Sequence, residues 1–473
     1  MACGTRTLTW VAVILSIILY RSGGLIKNCI VVKSPFTTGH VANADYDADC
    51  TTLRDHTVPR AESLSSCEDE VFWEIEDKSG KVVQRPVIFT CDPNRKNWNT
   101  VMGPLRNPDP LGSLWLYIPS TDSSKDYLDP SVKRDKVQRI TLKNYPPNHD
   151  FHPLGAEAWP SHAGSPSNLY VVNHARHRTV IEQFVLDPAS PTEALHIRTI
   201  SSPYFLSPNS VALTSPDSFY VTNDHFFTRR LPIVGHVLPL IESVLGLPLG
   251  FVSHVSLHPV TSNTKNPIAK QAFAALFIPF ANGISLSRTG TNLAVVSTST
   301  NQVQFYTRDP LTNKLSQRKS ETVILPFSPD NVNIVPSIDQ PGKEDVVVAG
   351  HPNFPHLVAV AANKKGAYAA SWAAVLTPKP ESLSGTKAPV SDDAAPVPIS
   401  SKVSTDGTTY QVKTLFQSNG DEFNFGFMSS STALRDPDTG VVYVSGLYAE
   451  DGAIICKPGS GIGRKKYIAS SSL

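Results

Sequence analysis

The 473-residue chain predicts an all-β fold: a six-bladed β-propeller with an N-terminal hydrophobic segment and short helices over the channel mouth. Two observations carry that expectation. First, one pattern recurs: a short β-branched or aromatic strand, a polar break, then a second strand ending near an Asp. It appears in LYVVNHARHRTVIEQFVLD (169–187), NLAVVSTSTNQVQFYTRD (292–309), DVVVAGHPNFPHLVAVAA (345–362) and VVYVSGLYAEDGAIICK (441–457). Looser copies are VFWEIEDKSGKVVQRPVIFTCD (71–92) and SFYVTNDHFF with the later FVSHVSLHP (251–259). About six antiparallel units of this kind suit a propeller, in which each blade buries its faces against its neighbours, better than a β-sandwich. Second, only 18% of residues are charged and 39 are Pro, which favours loop-rich strands over helices.

Taken in order, residues 1–26 read as a signal peptide or signal anchor. Arg6 precedes an apolar run from Leu8 to Tyr20 that Arg21 closes, the length of a signal core rather than of a membrane span. Residues 27–457 form the propeller. Within it, 226–250 is apolar, with Leu238, Ile241 and Leu245 at helical spacing and Pro232, Pro239 and Pro248 breaking it into short pieces. It reads as a lid, a membrane-surface patch or a packed loop. The Pro/Ser/Ala/Asp-rich stretch 376–401 reads as a flexible insert between blades, and 458–473 as a disordered tail.

The balance of 42 Lys plus Arg against 41 Asp plus Glu, with no basic run outside the tail, gives no nucleic-acid surface. The N-terminal segment directs the rest to the secretory pathway, either extracellular or membrane-anchored and facing the lumen. Cys3 lies in that segment, leaving Cys29, Cys50, Cys67, Cys91 and Cys456. No CxxC pair supports a zinc ribbon or thioredoxin-type site. An N-terminal cysteine joined to Cys456 would close a ring, but spacing leaves the connectivity open.

Polar clusters stand at strand ends. In a propeller, one end of every innermost strand meets the central channel, so Glu68, Asn209, Asn282, Asp330 and Asn331 would converge as two carboxylates and three amides. That all-oxygen set suits a hard cation such as calcium; zinc would take more His or Cys. The pairs His149/His152 and His174/His177 read as loop residues. Asn223, Asp224 and His225, at the end of the strand SFYVTN, read either as a turn or as part of a site. No GxSxG elbow and no Gly-rich phosphate loop is present.

At these residues the chain resembles the serum paraoxonase/arylesterase family, six-bladed propellers that hydrolyse lactones and aryl esters with calcium. FHPLGAEAW, LYVVNHARHRTVIEQF, SFYVTNDHFF, FANGISLS, SPDNVNI and AGHPN carry the resemblance, which runs roughly from Cys50 to Cys456. It implies that Glu68, Asn209, Asn282, Asp330 and Asn331 hold a catalytic calcium, that Asn223, Asp224, His225 and His351 face the pocket, and that Cys50 pairs with Cys456. Cys67 and Cys91 are then free to pair together. A second, structural calcium would use Asp69 and the carbonyl of Ala156, but its other carboxylate falls at Ser210, so weak or no binding is expected. The family's base histidine falls at Leu154, which cannot move a proton, while its partner is retained as His174. Candidate bases are therefore His174, Asp224, His225 and His351. The implied activity is calcium-dependent hydrolysis of a small-molecule lactone or aryl ester, with a membrane or lipid surface as a further partner. The alternative is a non-enzymatic, membrane-anchored propeller acting as an assembly factor or binding module.

Overall fold

The first strand of the unit at 169–187 is apolar on both faces rather than alternating. Leu169, Tyr170, Val171 and Val172 are all fully buried, which requires a sheet covered on both sides. The computed structural model, which describes residues 2–25, 36–42, 50–55, 57–59, 62–120, 127–262, 264–379 and 409–458, meets that requirement with radially stacked sheets. The innermost strands of the six blades, in order, are Cys67–Phe72, Pro153–Ala158, Pro208–Ser215, Ala281–Leu286, Ser328–Pro336 and Ser430–Arg435. Each begins a sheet of four or five strands, antiparallel except for the outermost pair of blade two, and each neighbours the next around a closed ring. This is a six-bladed propeller.

Six apolar clusters fill the six gaps between blades. Blades one and two, for example, share Trp73, Ile88, Leu114, Leu116, Phe184 and Leu186. The other gaps are filled in the same way, the last joining blade six back to blade one. At about 1.5–3 kcal/mol per large apolar side chain fully buried, these seams supply the main stabilisation.

Closure is covalent as well. Cys50–Leu53, from near the N-terminus, is the outer strand of blade six and pairs with Ala453–Cys456, where Cys50 and Cys456 form a disulfide across 406 residues of sequence. Cys67 and Cys91 form a second disulfide between the first two strands of blade one. At the inner edge, Ser431 Oγ donates to the Cys67 carbonyl at 3.2 Å and Thr432 Oγ1 to the Glu68 carbonyl at 2.9 Å.

Some expectations change. In DVVVAGHPNFPHLVAVAA the first half is the strand Glu344–His351, but the second is an α-helix, Phe354–Ala361. Asn353 caps it by accepting the His356 amide, Pro355 suits its first turn, and Phe354, Leu357 and Val360 recur at helical spacing on its buried face. The copy at 71–92 is also divided. Cys67–Phe72 pairs with Val87–Cys91, while Ile75–Glu76 and Val82–Gln84 join Ser161–His162 in a small separate sheet. The proposed insert at 376–401 does not lie between blades: Leu376 to Pro378 end the strand Ser371–Pro378, which pairs with Tyr410–Ser418 in blade five. The rest of that stretch, from 380, and the tail from 459 lie outside the described residues.

The N-terminal segment is a helix, Ala2–Leu25, with Leu8, Trp10, Ile14, Ile17 and Leu19 exposed. Among the described residues no helix is long and apolar enough to cross a membrane.

One polar knot stands in blade two. The buried Glu182 carboxylate accepts from His149 Nε2 (2.7 Å), His196 Nε2 (3.0 Å), Thr199 Oγ1 (2.6 Å) and Asn173 Nδ2 (2.9 Å). Burial pushes its pKa up, but these donors outweigh burial and hold it at about 2. The same bond to Glu182 raises His149 above its usual range.

Two outcomes follow for stability. A Cys456→Ala chain should lose about 2–5 kcal/mol in a denaturant titration, the range typical of a native disulfide. The gap between the wild-type and Glu182→Gln proteins should be full above pH 4.5 and shrink as pH falls toward about 2, because a carboxylate with a depressed native pKa loses its contribution there. On the alkaline side, the His149 share is present below pH 6.5 and fades as pH rises through its raised value, so urea midpoints measured from pH 2 to 9 test both limbs.

Candidate metal centre and active site

Every innermost strand carries a break in register near its start. The breaks fall between Cys67 and Asp69, Pro153 and Ala156, Pro208 and Val211, Ala281 and Ile284, Pro329 and Val332, and Ser430 and Thr432. A bulge lets a strand turn a side chain out of the alternation and into the channel. The bulged positions are Glu68, Leu154, Asn209, Asn282, Asp330 with Asn331, and Ser431. All five sequence-predicted metal ligands therefore occupy this ring, from four different blades. Two glycines allow the close approach: a Cβ on Gly283 would stand 2.5 Å from the Asn331 Cα, and one on Gly155 would stand 2.3 Å from the Asn209 carbonyl oxygen.

The side chains are held from behind. Asn282 Nδ2 donates to Thr298 Oγ1 (3.0 Å) and to Asp330 Oδ1; Asn331 Nδ2 donates to Thr432 Oγ1 (2.9 Å) and Glu68 Oε1 (3.1 Å); Asn209 Nδ2 approaches Asp224 Oδ2 at 3.4 Å. With the amide nitrogens so engaged, the opposite oxygens are left over. Glu68 Oε2, Asn209 Oδ1, Asn282 Oδ1 and Asn331 Oδ1 are all buried with no hydrogen-bond partner, as is Asp224 Oδ1. Orphaned buried acceptors are costly, and convergent ones fit a cation. Burial, with Asp69 and Asp330 adding repulsion, pushes the Glu68 carboxyl well above the usual carboxylate range. Glu68, Asn209, Asp224, Asn282, Asp330 and His351 share the lining of one cavity of about 80 Å³. No group of three or more His, Cys, Asp or Glu among the described residues is arranged to hold a metal, so any cation here relies on amide oxygens.

The residues assigned to a second calcium are arranged differently. Asp69 accepts the Glu70 amide (2.9 Å), Thr432 Oγ1 (2.9 Å) and the Ala156 amide (2.9 Å), which occupies both its oxygens.

The candidate bases separate by geometry. His174 has both ring nitrogens engaged, Nε2 with the Pro208 carbonyl (2.8 Å) and Nδ1 with Thr100 Oγ1 (2.6 Å), and burial pushes its pKa down to about 4. His225 bonds Ser243 Oγ through Nε2 (2.7 Å), stands 3.2 Å from Asp224 Oδ1 and packs edge-on against Phe280. His351 holds Asp330 Oδ2 through Nε2 at 2.9 Å. Asn223 is structural, its Oδ1 accepting the Leu206 and Ser207 amides. The three polar residues thus part company: Asn223, which ends the strand SFYVTN, fixes the Leu206–Ser207 backbone, Asp224 faces the cavity, and His225 reaches Ser243 in the excursion 226–250.

The excursion 226–250 holds a 3-10 turn, Val234–His236, and a short helix, Leu238–Val244. Buried Glu242 accepts the Phe226 and Phe227 amides at 2.9 Å each, and Ser243 meets His225. Its His236 and Leu240 line a second cavity of about 410 Å³, which shares Asn99, Met102, Phe354 and Leu357 with the metal-side cavity. Ile233, Val234, Val237 and Ile241 are exposed, so the apolar side of this excursion is only partly turned inward.

One wall of the site was missed from sequence. After the strand Val87–Cys91, the stretch CDPNRKNW brings Asp92, Arg95 and Trp98 to the cavity, where His152 also stands. The one legible signal was a carboxylate directly after a strand, the place at which Asp224 follows Asn223.

A propeller with an oxygen-lined centre and an apolar antechamber defines a class, and comparison places the chain within one. Residues 107–377, more than half of the chain, match the Arylesterase family model, and the protein belongs to that family. It is 24% identical over 246 residues to serum paraoxonase/lactonase 3 of Oryctolagus cuniculus, covering 52% of this chain and 59% of that protein. It is 27% identical over 187 residues to serum paraoxonase/arylesterase 2 of Bos taurus, covering 39% of this chain and 45% of that one. The chain thus spans about half the length of the curated relatives it matches. Among solved structures it is similar to a luciferin-regenerating enzyme, at 10% identity and a TM-score of 0.43, covering 87% of this chain and 96% of that one.

Proposed function

We propose that this protein is a calcium-dependent hydrolase of lactones or aryl esters. One observation supports it above the others: partnerless buried oxygens of Glu68, Asn209 and Asn282 meet in one cavity beside Asp330, and Asn331, bonded to Glu68, keeps a further partnerless oxygen. A scaffold protein has no reason to sustain several unsatisfied acceptors in its centre. These five residues would hold the cation. When bound, calcium would polarise the ester carbonyl and stabilise the charge that develops on its oxygen. Phe354, Leu357, Met102 and Leu240 provide an apolar seat for the acyl or aryl part, and the lid limits water there.

A single calcium per chain fits better than two. Asp69 has its oxygens satisfied by protein donors, and Ser210 offers only a hydroxyl where a second site would need a carboxylate. Two disulfides and the N-terminal apolar helix are consistent with a secreted or lumen-facing protein. That helix and the lid helix both adjoin Thr298–Thr300 beside the mouth, and the exposed Ile233, Val237 and Ile241 suit a lipid surface.

Calorimetry with calcium should give close to one equivalent per chain, and turnover of a lactone and aryl-ester panel should vanish in EGTA. Asp330→Ala and Asn282→Ala should each cost several kcal/mol of transition-state stabilisation, far more than His174→Ala, whose ring already has both nitrogens occupied. Two equivalents bound at low free calcium, or turnover indifferent to EGTA, would contradict the proposal. Replacing Ile233, Val237 and Ile241 together by Ser should weaken sedimentation with phosphatidylcholine vesicles while leaving calcium uptake intact; unchanged sedimentation removes the lipid surface.

A further inference from the structure

The bulge of blade two places Leu154 where its neighbours place metal-side polar groups, so the ring has no proton acceptor from that blade. Two residues earlier, His152 lines the same cavity. Its ring is 2% exposed, and its Nδ1 lies 2.9 Å from Asp92 Oδ2, a fully buried carboxylate. Asp92 is itself fixed, its Oδ1 accepting the Asn94 amide at 2.9 Å and its own amide donating to the Ser66 carbonyl at 3.2 Å. The histidine backbone is pinned on both sides, its amide to Asn173 Oδ1 (2.8 Å) and its carbonyl to the His174 amide (3.0 Å). Trp98 stacks on the ring at 5.5 Å with 29° between planes.

What remains is His152 Nε2. It is buried and has no hydrogen-bond partner. A carboxylate on Nδ1 fixes the proton there and leaves the Nε2 lone pair bare, the arrangement that a histidine base requires. We propose that His152 is the general base of this enzyme and Asp92 its positioning residue, replacing the function that Leu154 cannot serve. The inference rests on the hydrolase reading above.

The proposed step balances simply. Nε2 takes a proton from water as the water oxygen bonds to the ester or lactone carbonyl carbon. The tetrahedral intermediate collapses with cleavage of its bond to the alkoxy oxygen, and the Nε2 proton passes to that leaving oxygen. The products are an acid and an alcohol or phenol, or one hydroxy acid from a lactone.

The other groups are less suited. His174 has no free nitrogen. His351 also has an unpartnered nitrogen, Nδ1, but its carboxylate partner is Asp330, whose charge the cation would take. Asp92 has no such competitor.

The test uses the full chain in calcium, with a δ-lactone and a phenyl ester as probes. His152→Gln should lower kcat by about 10²–10⁴-fold, the usual contribution of a general base, with KM, calcium affinity and melting temperature kept. Asp92→Asn should lower kcat while keeping KM. Its histidine ¹⁵N spectrum should show the loss of the Nδ1–H form of His152 that the wild type displays, a signal read without turnover. A His152→Gln protein that folds, binds calcium and keeps kcat within about tenfold of wild type would overturn the assignment. So would a wild-type spectrum with the His152 proton on Nε2. Failure of His152→Gln to fold leaves the spectrum and Asp92→Asn to decide. A wild type inert toward both probes removes the hydrolase reading and this inference together, an outcome distinct from an active wild type with an active His152→Gln.

Discussion

The centre of this protein depends on six bulges, one near the start of each innermost strand. A regular strand end would send successive side chains to opposite faces of its blade, into the apolar seams on either side. The break in register instead turns one or two of them inward, and six strands doing so at the same height make a ring. Glycine at 155 and 283 is what lets neighbouring backbones come near enough for the ring to stay narrow. Small changes to that geometry would move every candidate ligand at once.

Polar groups gathered this tightly are unfavourable without a partner, and their cost must be met by the surrounding fold. The six interblade seams do so, since large apolar side chains outnumber the central polar ones and each stabilises by about 1.5–3 kcal/mol. The ring must also be closed for the seams to act together. Ser431 and Thr432 tie the last inner strand to the first, and the Cys50–Cys456 disulfide does the same at the rim. The stability of the centre is therefore a property of the whole circle.

The same frame separates roles among residues of one type. His174, His225, His351 and His152 all lie near the centre. His174 has both ring nitrogens engaged, with Pro208 and Thr100, and His225 is held by Ser243 and faces Asp224, whereas His152 is anchored by Asp92 and keeps Nε2 without a partner at the cavity. The carboxylates divide likewise: Asp69 is saturated by three donors, and Glu68 has an oxygen without any.

The repeated strand pairs, the low share of charged residues and the excess of proline were enough by themselves to point to a propeller, because strands buried between blades leave a direct mark on composition. Glu68, Asn209, Asn282, Asp330 and Asn331 were legible for a related reason: each sits at a strand start, and propeller topology sends strand starts to one place. The helix Phe354–Ala361 was misread because its short β-branched, apolar run carries strand and helix signals alike, and the Asn353 cap decides between them. Asp92 and His152 could not be paired in advance. They stand 60 positions apart, on two excursions whose meeting is set by how blades one and two pack. Side chains at strand ends inherit their place from the repeat, while those on loops acquire theirs only when the ring closes.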